Sequence, residues 1–176
     1  MRNLPLSRVY QQLEPGPVTL VSTAHRGKAN VMTMSWQTML DFEPPLLACV
    51  VSAGDHSFKA LRKTGECVIA VPPAQMAKQV VAIGNCHGDA VDKFAEFALA
   101  TRPARVVGAP LIEGCIANLE CRVVDTRMVN RYNLFVLEVV KAWHEPALRD
   151  APMLHHRGYG RFSVDGRTIR LPSRMA

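Results

Sequence analysis

The sequence predicts a mainly β protein in which antiparallel strands close into a barrel and the helices are small. Residues 116–123 show the clearest strand pattern, because apolar side chains alternate there with Asn118, Glu120 and Arg122. Several further segments are rich in β-branched residues, and most connections between them are short. An open sheet of about six or seven such strands would expose edges that invite aggregation, whereas closure into a barrel removes them.

Length and composition predict one domain with a packed core. The chain has 176 residues, 48% of them hydrophobic and 20% charged, which excludes a disordered chain. The longest uninterrupted apolar run, at residues 46–51, is far shorter than the ~18 residues that a membrane span needs. Residues 1–17 lack the apolar stretch of a signal peptide. We therefore expect a single domain over residues 1–176, in the cytoplasm and without a membrane partner.

The first part of the chain predicts a β-hairpin followed by a buried strand. Residues 18–24 are rich in β-branched side chains and lead through residues 25–28, which include a glycine, into a second strand at 29–36. Residues 41–45 contain two prolines and predict a turn. Residues 46–52 then form a continuous apolar strand, buried on both faces.

The middle of the chain predicts two helices around another buried strand. The first helix begins at Asp55 or Ser57 and ends at Gly65. Residues 67–71 predict the strand, and residues 74–83 predict the second helix from their apolar face.

The rest of the chain predicts a loop, a short helix and a return to strands. The loop covers residues 85–92 and the helix residues 93–99. A strand at 134–140 follows the one at 116–123, and the polar residues 127–133 form the turn between them.

The cysteines and histidines predict neither disulfides nor a metal site. The five cysteines include no C-x-x-C pair, which indicates a reducing compartment, and Cys49 and Cys67 are expected in the core. Cys86-His87 and His155-His156 are the pairs that suggest a metal. Adjacent residues on an extended chain point in opposite directions, so neither pair chelates an ion alone.

Charge and motifs argue against nucleic-acid and Rossmann-type functions. The net charge is +6, and residues 157–176 hold five arginines against one acid, a net charge of +4. No recognition motif accompanies this segment, so we predict a solvated arm with no specific nucleic-acid partner. The chain contains no G-x-G-x-x-G after a strand, no P-loop, no G-x-S-x-G and no H-E-x-x-H.

The most informative polar pattern lies in residues 30–36, Asn30-Val-Met-Thr-Met-Ser-Trp36. Thr33 and Ser35 share one face of the predicted strand, while Asn30 and Met32 share the other. Such a segment suits a ligand that is apolar and flat at one end and phosphorylated at the other. Backbone amides can then donate to ring heteroatoms while the hydroxyls reach the phosphate.

This segment is one of a series of motifs by which the chain resembles the flavin reductase-like family. Members of that family fold as an FMN-binding split barrel, a Greek-key-like antiparallel barrel with small helices. The resemblance covers roughly residues 15–145, and the chain looks most like the flavoredoxin-type branch. The matching motifs are, in order, Val18-Thr-Leu-Val-Ser-Thr, Asn30-Val-Met-Thr-Met-Ser-Trp36, Pro44-Pro45, His56-Ser57, Thr64-Gly-Glu-Cys-Val-Ile-Ala-Val71, Asp92-Lys-Phe94, Gly108-Ala-Pro-Leu-Ile112, Leu119-Glu-Cys121 and Phe135-Val-Leu-Glu-Val139.

The resemblance implies which residues would bind FMN. Residues 30–36 would line the isoalloxazine and the ribityl chain. Ser57 would meet the phosphate, since the start of a helix attracts anions, and Lys59 or Arg62 would add a cation. Residues 85–92 would form a loop near the phosphate or the ring edge, with Lys93 next to it. The full set implied for the cofactor is Asn30, Met32, Thr33, Met34, Ser35, Trp36, Ser57, Lys59, Asn85, Cys86 and Lys93.

The chain departs from the family pattern in two places. Cys86-His87-Gly88 stands where many relatives have Ser or Thr with Gly, and Arg131-Tyr132-Asn133 stands where many reductases place a histidine. The second departure concerns the pocket of the hydride donor, so the resemblance implies flavin binding more directly than reduction by NAD(P)H. Because the isoalloxazine itself accepts hydride, we assign no catalytic side chain.

The resemblance implies an NAD(P)H:flavin oxidoreductase that passes reduced FMN to an acceptor or a partner oxygenase. Two alternatives stay open, namely a flavoredoxin-like FMN electron carrier reduced by a protein partner and a non-enzymatic flavin-binding module. A homodimer is expected, because family members bind flavin at or near a two-fold interface. Residues 146–176 would form an extension that packs on the flavin site or on the dimer partner. The sequence does not discriminate NADH from NADPH, name the acceptor or separate a tight cofactor from a flavin substrate.

Overall fold

The computed structural model describes residues 2–8, 17–157 and 160–172, and most of them belong to β-strands or to the loops between them. The strands are β1 (Arg2–Asn3), β2 (Thr19–His25), β3 (Lys28–Met34), β4 (Gln37–Phe42), β5 (Pro45–Val50), β6 (Glu66–Val71), β7 (Thr101–Arg102), β8 (Leu111–Ile112), β9 (Ala117–Asp125), β10 (Leu134–His144), β11 (Leu154–His156) and β12 (Phe162–Val164). The α-helices are α1 (His56–Thr64), α2 (Ala77–Gly84), α3 (Lys93–Glu96) and α4 (Val129–Tyr132). None of the helices in the described residues is long and apolar enough to cross a bilayer.

The main sheet curls into a barrel because its two end strands are consecutive in the chain. Hydrogen bonds order the strands β3-β2-β6-β9-β10-β5-β4, and β1 adds to β10. Every ladder along this path is antiparallel, so β3 and β4 run in the same direction and act as one bent strand. Only Ser35 and Trp36 lie between them. Two residues are too short to bridge the edges of a flat sheet of this width, so the sheet must close. The predicted mainly β fold with small helices is confirmed.

The predicted hairpin and the first predicted helix are both present. Arg26 and Gly27 connect β2 to β3 with φ of 52° and 75°, the positive values that a tight two-residue hairpin turn requires. Helix α1 follows Asp55 and ends at Gly65, whose φ of 68° lets its N–H donate to the Leu61 carbonyl at 2.9 Å.

Several segments differ from the sequence-based expectation, which assigned no strand to β1, β4, β11 or β12. The turn expected at 41–45 is shorter, because β4 continues to Phe42 along the sheet edge and β5 begins at Pro45. The helix expected at 93–99 ends at Glu96, since Ala98 adopts a φ of 48°. The segment 127–133, expected to be a turn, contains the one-turn helix α4. Residues 101–112, for which no element was predicted, carry the small β7–β8 ladder.

The core lies inside the barrel and fixes α1 against it. Phe135, Leu137 and Leu119 from the central strands are fully buried. Phe58 of α1 stacks edge-on against Phe135, with ring centroids 5.6 Å apart, so the start of α1 is held on the barrel wall. Cys49 is also buried, as predicted, and all the cysteines are free.

Two residues on the polar side of β9, Asn118 and Glu120, are covered by the chain segment before the strand, while Arg122 on the same side is exposed. Glu120 is fully buried, and its carboxylate accepts hydrogen bonds from the N–H groups of Arg105 (3.1 Å), Val106 (2.6 Å) and Val107 (3.1 Å) and from the Trp143 indole (2.7 Å). Burial alone would raise the pKa of Glu120, but these four donors outweigh it and hold the pKa below its ordinary value. A single carboxylate thus ties the loop at 105–107 and β10 to the sheet.

Candidate functional site

Most of the residues expected to bind FMN come together where β3, the first turn of α1 and the loop after α2 meet. A cavity of about 70 Å³ lies at this junction. Five of the predicted residues line it, together with Gly88 of the loop. The five are Asn30, Met32, Thr33, Cys86 and Lys93. The barrel supplies β3, and the packing of Phe58 on Phe135 places α1 beside it. Residues distant in sequence therefore form one polar site.

Asn30 and Ser57 form the buried polar pair of this site. The Asn30 amide donates to the Ser57 hydroxyl at 2.9 Å, and the Ser57 side chain is 1% exposed as the second residue of α1. The Asp55 carboxylate accepts from the Ser52 N–H at 2.9 Å and does not cap the helix. The start of α1 keeps amide groups without a side-chain cap, which is the arrangement that favours an anion.

Lys93 places a buried cation beside that pair. Its side chain is 5% exposed, and its ammonium donates to the Ile83 carbonyl at 2.9 Å. No described carboxylate lies within ion-pair distance of it. Burial lowers the pKa of Lys93, while the more distant Cys86 and Asp55 act in the opposite direction. A buried ammonium that lacks a close anion is a site for a negatively charged ligand group.

The local sequence explains how Lys93 reaches the site. Asp92 caps α3 by accepting from the N–H groups of Phe94 (3.0 Å) and Ala95 (3.3 Å). Lys93 is then the first residue of the helix and lies beside the end of α2. The motif Asp92-Lys-Phe94 thus combines a helix cap with a buried cation.

A second cavity of about 300 Å³ adjoins the first along β3. Thr33, Ser35 and Asn85 line it, together with His156 and Phe162 of the β11–β12 hairpin. Thr33 lies at both cavities and donates its hydroxyl to the Val80 carbonyl at 2.6 Å. The C-terminal extension therefore contacts the same surface as the predicted flavin residues. Positions 158–159 and 173–176 of that extension lie outside the described residues.

Three of the predicted residues lie away from these two cavities. Met34 is buried in the barrel core, and Trp36 is 70% exposed on the link between β3 and β4. Lys59 lines a third cavity of about 630 Å³ together with His25, Arg26 and Lys28, and this cavity meets the small one at Asn30 and His56. Within the described residues, the structure groups eight of the predicted residues around these two adjoining cavities or their wall, namely Asn30, Met32, Thr33, Ser35, Ser57, Asn85, Cys86 and Lys93.

Sequence reasoning missed the contribution of His56, Gly88 and Asp89. The His56 Nδ1 atom is 2.7 Å from an Asp89 carboxylate oxygen, which fastens the loop at 85–92 to α1. A Cβ atom on Gly88 would lie 2.5 Å from the Asn30 Oδ1 atom and 2.9 Å from the His56 ring. The Cys86-His87-Gly88 motif gave a signal for Gly88, but only the fold shows what that glycine contacts.

Substitution of Gly88 by alanine is expected to displace Asn30 from Ser57. The added methyl group has no room, so the loop must move, at a cost of about 1–3 kcal/mol in the free energy of unfolding. We expect weaker FMN binding in an equilibrium titration and a lower melting temperature. Gly54→Ala is the matched control, because its Cβ would meet only the Ser52 hydroxyl at 3.7 Å. Equal FMN affinity in the Gly88→Ala and unmodified chains would contradict the contact.

Comparisons with known proteins agree with the fold and identify the family. The sequence profile of the flavin reductase like domain matches residues 12–163, so the chain belongs to the flavin reductase-like family. An FMN-binding domain of a flavin reductases-like enzyme from Shewanella baltica superposes with a TM-score of 0.90 at 25% identity, covering 98% of this chain and 100% of that one. Flavoredoxin from Methanosarcina acetivorans superposes with a TM-score of 0.79 at 25% identity, covering 90% and 89%.

A relative of known activity matches at the level of sequence. The reductase component of a 4-nitrophenol 4-monooxygenase/4-nitrocatechol 2-monooxygenase from Rhodococcus opacus is 30% identical over 146 residues. The match covers 82% of this chain and 74% of that protein. The family therefore includes flavin reductases and reductase components of oxygenases.

Proposed function

We propose that the protein binds FMN and catalyses its reduction by NAD(P)H, passing the electrons to an acceptor or to a partner oxygenase. The observation that carries the proposal is the buried ammonium of Lys93, which has no close carboxylate in the described residues and lies by the Asn30–Ser57 pair. A phosphate monoester would supply the missing negative charge and would be held by donors of the kind that Lys93 and Ser57 offer.

The residues present fit FMN in their chemistry and their order. Lys93, Ser57 and the start of α1 would hold the phosphate, since these groups donate or carry positive charge. Thr33, Ser35 and Asn85 would bind the polar parts that follow, along the larger cavity. When bound, FMN supplies a ring that accepts hydride, so the side chains need only bind and orient it. We accordingly assign no catalytic acid or base.

Two further features support a site completed by other parts of the assembly. Trp36, Leu40 and Phe42 are exposed along the edge formed by β4, which suits a second copy of the chain that covers the flavin ring. The contact of β11–β12 with the larger cavity supports an extension that packs on the flavin within a single domain. The free cysteines support a reducing, cytoplasmic location.

The relatives favour two kinds of electron transfer, and one experiment separates them. The Rhodococcus opacus protein is a reductase component, whereas the Methanosarcina acetivorans protein is a flavoredoxin. The protein with bound FMN is mixed anaerobically with NADH or with NADPH, and the flavin absorption is followed. We expect bleaching by at least one nucleotide. Flavin bands that persist until dithionite is added would contradict NAD(P)H dependence and favour an electron carrier or a binding module.

A further inference from the structure

A cluster of two histidines and one aspartate lies at the rim of the small cavity. His56 is the first residue of α1, while His87 and Asp89 belong to the loop between α2 and α3. One ligand atom from each of the three side chains lies within 4.8 Å of the others. His56 Nδ1 is 2.7 Å from Asp89 Oδ1, and His87 Nδ1 is 3.2 Å from Asp89 Oδ2. Both imidazoles thus direct the same ring nitrogen at one carboxylate.

The opposite edge of His87 supports a ligand role for its Nδ1 atom. The Nε2 atom lies 3.4 Å from the Gly54 carbonyl. In the tautomer that donates a proton towards Gly54, the Nδ1 lone pair faces Asp89, so either a second proton or a metal ion must lie between them. Histidines that bind metals commonly donate their other ring N–H to a backbone carbonyl, which fixes the tautomer and the ring.

We propose that His56, His87 and Asp89 form a binding site for a first-row transition-metal ion, with Zn²⁺ as the representative ion. Two imidazoles and one carboxylate are a ligand set that zinc accepts, with water at the remaining position. Metal–ligand bonds of about 2.0–2.2 Å place tetrahedral donor atoms about 3.3 Å apart. The donor distances here, from 2.7 Å to at most 4.8 Å, bracket that value and need only small side-chain adjustments.

An ion bound to this cluster would link α1 to the loop between α2 and α3. The ligands come from α1 and from the loop, so a bound ion joins the two segments that contain Ser57 and Cys86. Gly88 lies between the two loop ligands and against Asn30 and His56. Metal binding therefore holds the loop in place over the buried pair of Asn30 and Ser57. The proposal does not depend on FMN binding, because all three ligands are side chains of this chain.

The test is a calorimetric titration of the full-length, tag-free and flavin-free protein with Zn²⁺. We expect one ion per chain and a higher melting temperature with Zn²⁺. His87→Ser and Asp89→Asn should each weaken binding at least tenfold. The apo proteins should melt close to the temperature of the unmodified chain, because pairs between exposed side chains contribute little to the free energy of unfolding. His155→Ala is the matched control. His155 also contacts a carboxylate, Asp165 at 2.7 Å, but the described residues supply no third ligand there.

Three outcomes would overturn the proposal. The first is that Zn²⁺ shows no one-site binding to the unmodified chain. The second is that His87→Ser and Asp89→Asn bind Zn²⁺ as tightly as the unmodified chain. The third is that His155→Ala loses Zn²⁺ binding as much as these two variants do. If no Zn²⁺ binds, the two imidazoles contact Asp89 through hydrogen bonds alone. Absorption bands of tetrahedral Co²⁺ that disappear in His87→Ser would independently support the ligand set.

Discussion

Replacing Lys93 by methionine is expected to weaken FMN binding roughly 10- to 100-fold. The substitution keeps the length of the side chain and removes the buried ammonium that lies beside Asn30 and Ser57. A hydrogen bond between charged partners contributes about 1.5–3 kcal/mol, and every 1.4 kcal/mol changes affinity about tenfold. The measurement is an equilibrium titration of the flavin-free protein with FMN.

The same substitution should leave folding intact, because an apolar side chain replaces a cation that costs free energy to bury. The melting temperature of Lys93→Met should therefore equal or exceed that of the unmodified chain. Lys63→Met is the control for a general charge effect, since Lys63 is exposed on the last turn of α1. An FMN affinity that falls equally in Lys63→Met and Lys93→Met would contradict a specific phosphate contact.

Replacing Glu120 by alanine is expected to lower the free energy of unfolding by about 3–5 kcal/mol. The substitution leaves the N–H groups of three loop residues and the Trp143 indole without their acceptor in a buried place. Unsatisfied buried donors cost about 1–3 kcal/mol each, part of which relaxation recovers. Urea denaturation measures the loss. Glu113→Ala is the control and should lose far less, because Glu113 pairs with Arg102 on the surface.

The carboxylate of Glu120 also gives a pH dependence of definite sign. Its pKa is lower in the folded chain than in the unfolded one, whose ordinary value is 4.5. Its stabilisation is therefore complete above about pH 4.5 and is lost as the pH falls through the lowered folded pKa. The difference in unfolding free energy between the unmodified chain and Glu120→Gln should be largest near pH 7 and shrink below pH 4.5. A difference that grows on acidification would contradict the assigned hydrogen bonds.

Local sequence signals predicted the turn chemistry and six of the seven strands on the main path of the sheet, but they missed β4. The glycine at position 27 and the β-branched residues around it define the first hairpin, because that turn depends on neighbouring residues alone. Gly65 likewise ends α1 as predicted. By contrast, β4 carries only a weak alternation and lies at the sheet edge with exposed Leu40 and Phe42, so its length depends on pairing with β5.

The polar residues of β9 show why alternation alone does not decide which face meets water. The pattern at 116–123 correctly predicts a strand. Asn118 and Glu120 are nevertheless buried, because the segment that precedes β9 folds back over them and supplies backbone partners. The covering residues are close in sequence, but their path depends on the whole barrel.

The candidate site was predicted in its composition more than in its geometry. The resemblance indicated Asn30, Ser57 and Lys93, and the structure places these side chains at one junction. The resemblance did not indicate that His56 would contact Asp89, since that contact forms only when the loop at 85–92 folds onto α1. Trp36 was expected against the flavin, but the structure leaves it exposed on the link between β3 and β4, away from the two cavities.

The most direct test of the central claim compares the affinities of FMN and riboflavin for the flavin-free protein. The two ligands share the ring and the ribityl chain and differ in the phosphate, which we assign to Lys93, Ser57 and the start of α1. We predict that FMN binds at least tenfold more tightly than riboflavin. Equal affinities would contradict the phosphate site, and failure to bind either ligand would contradict a flavin-dependent function.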